Sequence, residues 1–144
     1  MSTLKVTNVK HETSGLNTLV FDNGGTSGGN GRVTTKGTIG EVSDLGNLAA
    51  GTHTLDFRTA NNFSMTLTGN VTLANPSNLA AGQSGILFVL QDGTGSRTAA
   101  FGSYWDFSDG TAPTLSTGVN AVDMIAWVAR SANKISAQFV GNFS

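Results

Sequence analysis

An all-β protein is predicted: a jelly-roll-like β-sandwich body at residues 37–144, preceded by an extended N-terminal arm and Gly-rich linker at residues 1–36. Three features of the body point there. Leu55 and Phe57 alternate with Thr54, Asp56 and Arg58, and Phe63, Met65 and Leu67 alternate with Ser64, Thr66 and Thr68. Period two places apolar side chains on one face of a half-buried strand. Ile86-Leu-Phe-Val-Leu90 and the run Val122 to Ala129 are apolar on both faces, as in strands covered from both sides. The connections between these runs are rich in Gly, Asn, Asp and Ser, the residues that favour turns. Strands joined by short polar connections build two-layer β architectures.

In chain order, Leu4 and Val6 predict one short arm strand and Leu19, Val20 and Phe21 another, followed by Asn23-Gly-Gly-Thr-Ser-Gly-Gly-Asn-Gly31-Arg32. That tract has too little apolar surface to offset the entropy of ordering it, so it reads as a flexible connection. Leu4, Val6, Val9, Leu19, Phe21 and Arg32 are assigned to an assembly arm that reaches neighbouring subunits by strand addition or wrapping. Ile39, Val42, Leu45 and Leu48 have near-helical spacing, but Gly40 and Gly46 each cost about 1 kcal/mol in a helix, so residues 39–49 are expected to form a single turn or loop. Gly69-Asn70 between Leu67 and Val71 predicts a type II′ hairpin. Asp92-Gly93 closes the Ile86–Leu90 strand, and the run from Val122 pairs with Ile135 to Val140 through the turn Ser131 to Lys134. Asn47-Leu-Ala-Ala-Gly51 recurs as Asn78-Leu-Ala-Ala-Gly82, which is expected to mark equivalent connections in the two sheets.

The 144-residue chain is one domain's worth, enough to remove about 70% of the unfolded surface from water. Charged residues make up 12%, well under the usual ~25%, and the net charge is −1. No basic field exists to hold nucleic acid phosphates or anionic lipid, so neither partner is expected. No apolar stretch approaches the ~20 residues of a membrane span. With no Cys there is no disulfide, thiolate nucleophile or cysteine zinc site. Met1-Ser-Thr-Leu-Lys-Val6 lacks the pattern of a secretory signal, which fits synthesis in a bacterial cytoplasm.

Candidate chemistry is sparse, and neither an enzyme nor a cofactor is expected. His11 and His53 have no metal-ligand spacing, and no Gly-x-Ser-x-Gly elbow is present. Asp106 and Asp109 invite comparison with a glycosidase acid pair, but beside Gly110 they read as turn residues. Asp92-Gly-Thr-Gly95 lacks the alternating oxygen ligands of a calcium loop, and Gly24 to Gly31 lacks the ending of a phosphate-binding loop. Tyr104, Trp105 and Phe107 are the candidate interface or receptor aromatics, since such rings fill cores, anchor interfaces and stack on sugars.

Leu73-Ala-Asn-Pro76 through Gly85, Gln91-Asp-Gly-Thr-Gly95-Ser-Arg97, Phe101-Gly-Ser-Tyr104-Trp105, Gly110-Thr-Ala-Pro113 and Gln138-Phe-Val-Gly-Asn142-Phe143 together resemble a β-rich module of virion surface proteins of tailed bacteriophages. The resemblance covers roughly the last two thirds of the chain. It implies a virion-surface, usually homotrimeric, non-enzymatic unit. Two functions fit. The preferred one is a capsid decoration (cement) protein whose arms clasp the major capsid protein or other virion proteins and stabilise the head by binding only the assembled shell. The alternative is a short tail-fibre or receptor-binding tip that contacts host surface polysaccharide or protein.

Overall fold

The computed structural model describes residues 40–143. The assembly-arm residues Leu4, Val6, Val9, Leu19, Phe21 and Arg32, and the strands expected around them, lie outside the described residues. Nine strands follow in order: β1 (Val42–Leu48), β2 (Gly51–His53), β3 (Asn62–Leu67), β4 (Val71–Leu73), β5 (Ser84–Gln91), β6 (Ala99–Phe101), β7 (Trp105–Phe107), β8 (Val122–Ser131) and β9 (Lys134–Val140). A 3₁₀ turn at Ser108–Gly110 is the only helical element among the described residues. A six-stranded sheet, ordered β1-β3-β5-β8-β9-β7, faces a three-stranded sheet, ordered β2-β4-β6. The predicted all-β sandwich is present.

Within that class the path differs from the antiparallel crossings of a jelly roll. The chain alternates between sheets, and each pass lies parallel to the one before: Val42, Asn62 and Ile86 stand side by side in the large sheet, and Gly51, Val71 and Ala99 in the small one. A third, shorter side forms where Asp56 bridges Ser77, with Phe57 N donating to Ser77 O at 3.0 Å and Ser77 N to Leu55 O at 2.9 Å. Three coils therefore stack, and the antiparallel strands β8 and β9 extend the large sheet past β5. The β8–β9 hairpin turns at Ser131–Lys134, as expected.

Four local expectations are corrected. Residues 42–48 form a strand, not a turn or loop. A bulge between Asp44 and Asn47, with Gly46 at φ 63°, adds a residue that turns both Leu45 and Leu48 inward. Three-residue spacing, helical to the eye, is here the mark of a bulged strand. Gly69-Asn70 makes no hairpin, because β3 and β4 belong to different sheets. Gly69 is needed for close approach: a Cβ there would sit 2.4 Å from Ala50 N. Leu55 and Phe57 are buried as predicted, at 2% and 1% exposure, but the chain turns at once, with Thr59 N donating to Asp56 O. The two Asn-Leu-Ala-Ala-Gly copies are not equivalent, since one carries the chain from β1 to β2 and the other lies between β4 and β5.

Phe63, Met65, Leu67, Leu73, Leu87, Val89, Ile125, Trp127 and Ile135 fill the space between the sheets. Gln91 stands in the column of Leu48 and Leu67, and its amide is satisfied by the backbone of Arg97: Nε2 donates to Arg97 O at 2.9 Å and Oε1 accepts from Arg97 N at 2.8 Å. Buried Asp123 is satisfied likewise, accepting from Ser116 N at 2.8 Å and Asn142 N at 2.9 Å, which ties the last segment to the loop before β8.

After β5, the Asp92 carboxylate caps its own turn, accepting from Thr94 N and Gly95 N and pairing with Arg97 at 2.8 Å. The Arg97 hydrogen bond, then those backbone amides, hold its carboxyl below the ordinary 3.8, at about 2, against the opposing effect of burial. A lowered folded-state pKa stabilises the fold above the unfolded value, and that contribution is lost as pH falls from about 4 through about 2. Asp92→Asn is expected to lower the melting temperature at pH 7 and to flatten its decline between pH 4 and pH 2, measured by calorimetry at stepped pH. Parallel melting curves for both proteins would contradict this.

Candidate functional site

Strand parity decides what the large sheet shows to solvent. On β5 and β8, Leu87, Val89, Ile125, Trp127 and Ala129 point inward and are buried, while Ile86, Phe88, Leu90, Val122, Met124 and Ala126 point outward and are half-buried. Val128 and Val140 on the same outer face are each 43% exposed. The two-sided burial expected of Ile86–Leu90 and Val122–Ala129 is met on the inner side, whereas the outer side chains are half-buried or, at Val128, exposed.

Toward β7 the outer face changes character. The register aligns Val128, Ser136 and Asp106 across β8, β9 and β7, with Ala126 and Gln138 in the next row. Small side chains at Ala126 and Ser136 leave an open groove of about 630 Å³. Two polar clasps flank it. Asp106 pairs with Arg130 and accepts from Lys134 Nζ at 3.2 Å, while Ser108 Oγ donates to Gln138 Oε1 at 3.0 Å. One carboxylate is thus shared by two cations, which leaves a surplus of positive charge at the groove's end. Donors, an acceptor and an apolar floor of Ala126 and Val128 suit a polyhydroxylated ligand with a C–H face. A second hollow, of about 560 Å³, lies by Phe57, Asn61 and Leu79. Its polar groups already satisfy one another, with Gln83 Nε2 donating to Phe57 O and to Asn61 Oδ1.

The three candidate aromatics lie beside the groove or beneath it, facing inward. Trp105 is 6% exposed, packs edge-on against Phe57 and Phe101, and donates its indole N–H to Ala74 O at 3.4 Å. Phe107 packs against Phe101 with ring centres 4.8 Å apart. Tyr104 is half-buried against the core. Asp106 points outward between Trp105 and Phe107, and Asp109 sits in the 3₁₀ turn at φ 58°. His53 Nε2–H donates to Ala49 O at 2.8 Å. Among the described residues no cluster of three or more His, Cys, Asp or Glu is placed to hold a metal ion, and no helix is long and apolar enough to cross a membrane. Sequence reasoning missed Arg130, Ser136 and Gln138. Their signal was parity, since Arg130 continues the outward, even-numbered series of β8.

Residues 33–130 match the family model described as "Putative phage tail fibre C-terminal domain", about two thirds of the chain. The chain belongs to this family. The tail fibre C-terminal domain is a phage virion module, in agreement with the resemblance drawn from its motifs. The match runs from before β1 through most of β8, so the β9 wall of the groove lies beyond the matched residues. No curated protein and no solved structure is detectably similar to the chain.

Proposed function

We propose that this chain is the receptor-contacting end of a phage tail fibre, displayed on the virion surface as a homotrimer, and that it binds host surface polysaccharide without cleaving it. The observation that carries the reading is the match to a tail fibre domain. The groove across β8, β9 and β7 supplies a site of suitable chemistry. The capsid-decoration reading depends on the arm at residues 1–32 as its clasp, and those residues lie outside the described ones. No feature of the body favours a head location over a fibre, so the fibre reading takes precedence.

Binding of the purified full chain to host cells and to their extracted polysaccharide tests the function. Arg130→Ala and Gln138→Ala should each weaken polysaccharide binding roughly 10-fold or more, the loss of one or two hydrogen bonds, one of them charge-assisted. Their melting temperatures should barely move, because Arg130 is 53% exposed and surface ion pairs contribute little. Binding unchanged in both variants would remove the groove, and failure of the wild-type chain to bind would remove the receptor reading.

A further inference from the structure

We infer that the groove across β8, β9 and β7 selects an acidic polysaccharide, seating a sugar-borne oxyanion, carboxylate or phosphate, at Arg130 and Lys134. The inference rests on the proposed function and names the chemistry of its ligand.

Charges on the described residues are unevenly matched. Arg58 pairs with Asp56 at 3.4 Å, and Arg97 grips Asp92 through both Nε and Nη2. Each of those cations has a carboxylate to itself. Arg130 and Lys134, the remaining basic side chains of the described residues, share Asp106 between them. Among the described residues, this is where cations outnumber the carboxylates they pair with. The chain as a whole carries −1, so the attraction is local to the groove and is no general field for polyanions.

Asp106 is saturated while its partners are not. Its Oδ1 accepts from Lys134 Nζ at 3.2 Å and its Oδ2 from Arg130 Nη2. Arg130 makes that bond through Nη2 alone, whereas Arg97 also commits Nε to its carboxylate, and a guanidinium has five N–H donors to give. Lys134 spends two of its three donors, on Asp106 and on Ser103 O at 3.1 Å. The two side chains are 53% and 46% exposed, so an incoming anion meets available donors without breaking either pair to Asp106. A planar fork beside a point charge suits an oxyanion, and charge-assisted hydrogen bonds are roughly twice as strong as neutral ones.

The groove also gives its ligand a direction. Lys134, Ser136 and Gln138 follow one another on the outer face of β9, about 13 Å from first to last, more than one sugar ring spans. Gln138 and Ser108 close the other end with neutral groups, and Asp109 follows Ser108 there. An acidic sugar is therefore drawn to Arg130 and repelled from the Gln138 end, where a neutral sugar fits. A repeat that places an acidic sugar next to a neutral one matches that order.

The test measures binding of the full chain to extracted host polysaccharide in three forms: native, carboxyl-reduced with carbodiimide and borohydride, and dephosphorylated with hydrogen fluoride. One treated form should bind about 10-fold more weakly than the native one, the loss of a charge-assisted hydrogen bond. Reduction reports a carboxylate and dephosphorylation a phosphate. Lys134→Met and Arg130→Gln should each narrow the gap between native and treated forms, whereas Gln138→Ala should weaken all three alike. Native binding should also fall several-fold between about 50 mM and about 500 mM NaCl. Equal binding of the three forms overturns the inference and leaves the polysaccharide reading standing, as does a gap that persists in both charge variants. Failure of the native form to bind removes that reading, and this inference with it. Duplex DNA bound as tightly as the native polysaccharide would show a general attraction to polyanions and would also overturn the inference.

Discussion

Phe57→Ala is expected to destabilise the domain by about 3–5 kcal/mol, the range for removing a fully buried aromatic ring. Phe57 is 1% exposed, yet it lies on the turning third side of the coils, outside any strand. Its ring stacks on Phe63 at 5.4 Å, lies 4.3 Å from Trp127, and receives Trp105 edge-on at 6.1 Å. Those partners belong to β3, β8 and β7, so one side chain joins the parallel coils to the antiparallel end of the sheet. Neighbours anchored in three strands cannot collapse into the vacancy, which places the loss at the upper end of the range. Phe57→Leu keeps much of the volume and should cost under about 2 kcal/mol. Urea unfolding with an unchanged slope measures both. A loss below ~1 kcal/mol for the Ala variant would show that the aromatic cluster does not join the two parts.

Gly85→Ala should cost about 3 kcal/mol or prevent folding, at the top of what overpacking does. A Cβ at Gly85 would stand 1.8 Å from Asn61 O and 2.6 Å from Asn61 C. Both are backbone atoms of the segment leading into β3, so no rotamer change relieves the clash, and on the other side Trp127 Cζ2 waits at 3.1 Å. Yielding would mean moving the β3 entry against a ladder that pairs Asn62 with Ile86. Gly93→Ala is the control: nothing lies within 4 Å of its Cβ, and its effect should stay within about 0.5 kcal/mol. Equal behaviour of the two variants would mean that Asn61 does not cross β5 as closely as described.

How much of this was legible follows the distance between pairing partners. The β8–β9 hairpin could be read because its strands are neighbours in sequence and its turn is local. The parallel coils could not, because alternation reveals a strand's faces and says nothing of which strand lies beside it. Val42 meets Asn62 and Gly51 meets Val71 through main-chain bonds that any side chain would allow. The bulge in β1 misled more actively, giving Leu45 and Leu48 the spacing of a helix. At the site, the cluster of Tyr104, Trp105 and Phe107 drew attention by ring chemistry, yet Trp105 spends its rings on the core. Asp106 was weighed against Asp109, its neighbour in sequence. Its partners in space are Arg130 of β8 and Lys134 of β9.

The stacked coils have a consequence for how such a module can change length. The first circuit takes 20 residues, from Val42 to Asn62 and from Gly51 to Val71, and the next takes 24 and 28, from Asn62 to Ile86 and from Val71 to Ala99. Each circuit touches only the circuits above and below and raises the stack by one strand spacing, about 4.8 Å. Duplicating or deleting a whole circuit would thus lengthen or shorten the stack in fixed increments while the C-terminal hairpin, and the groove it carries, keep their shape. Reach and recognition can then vary independently.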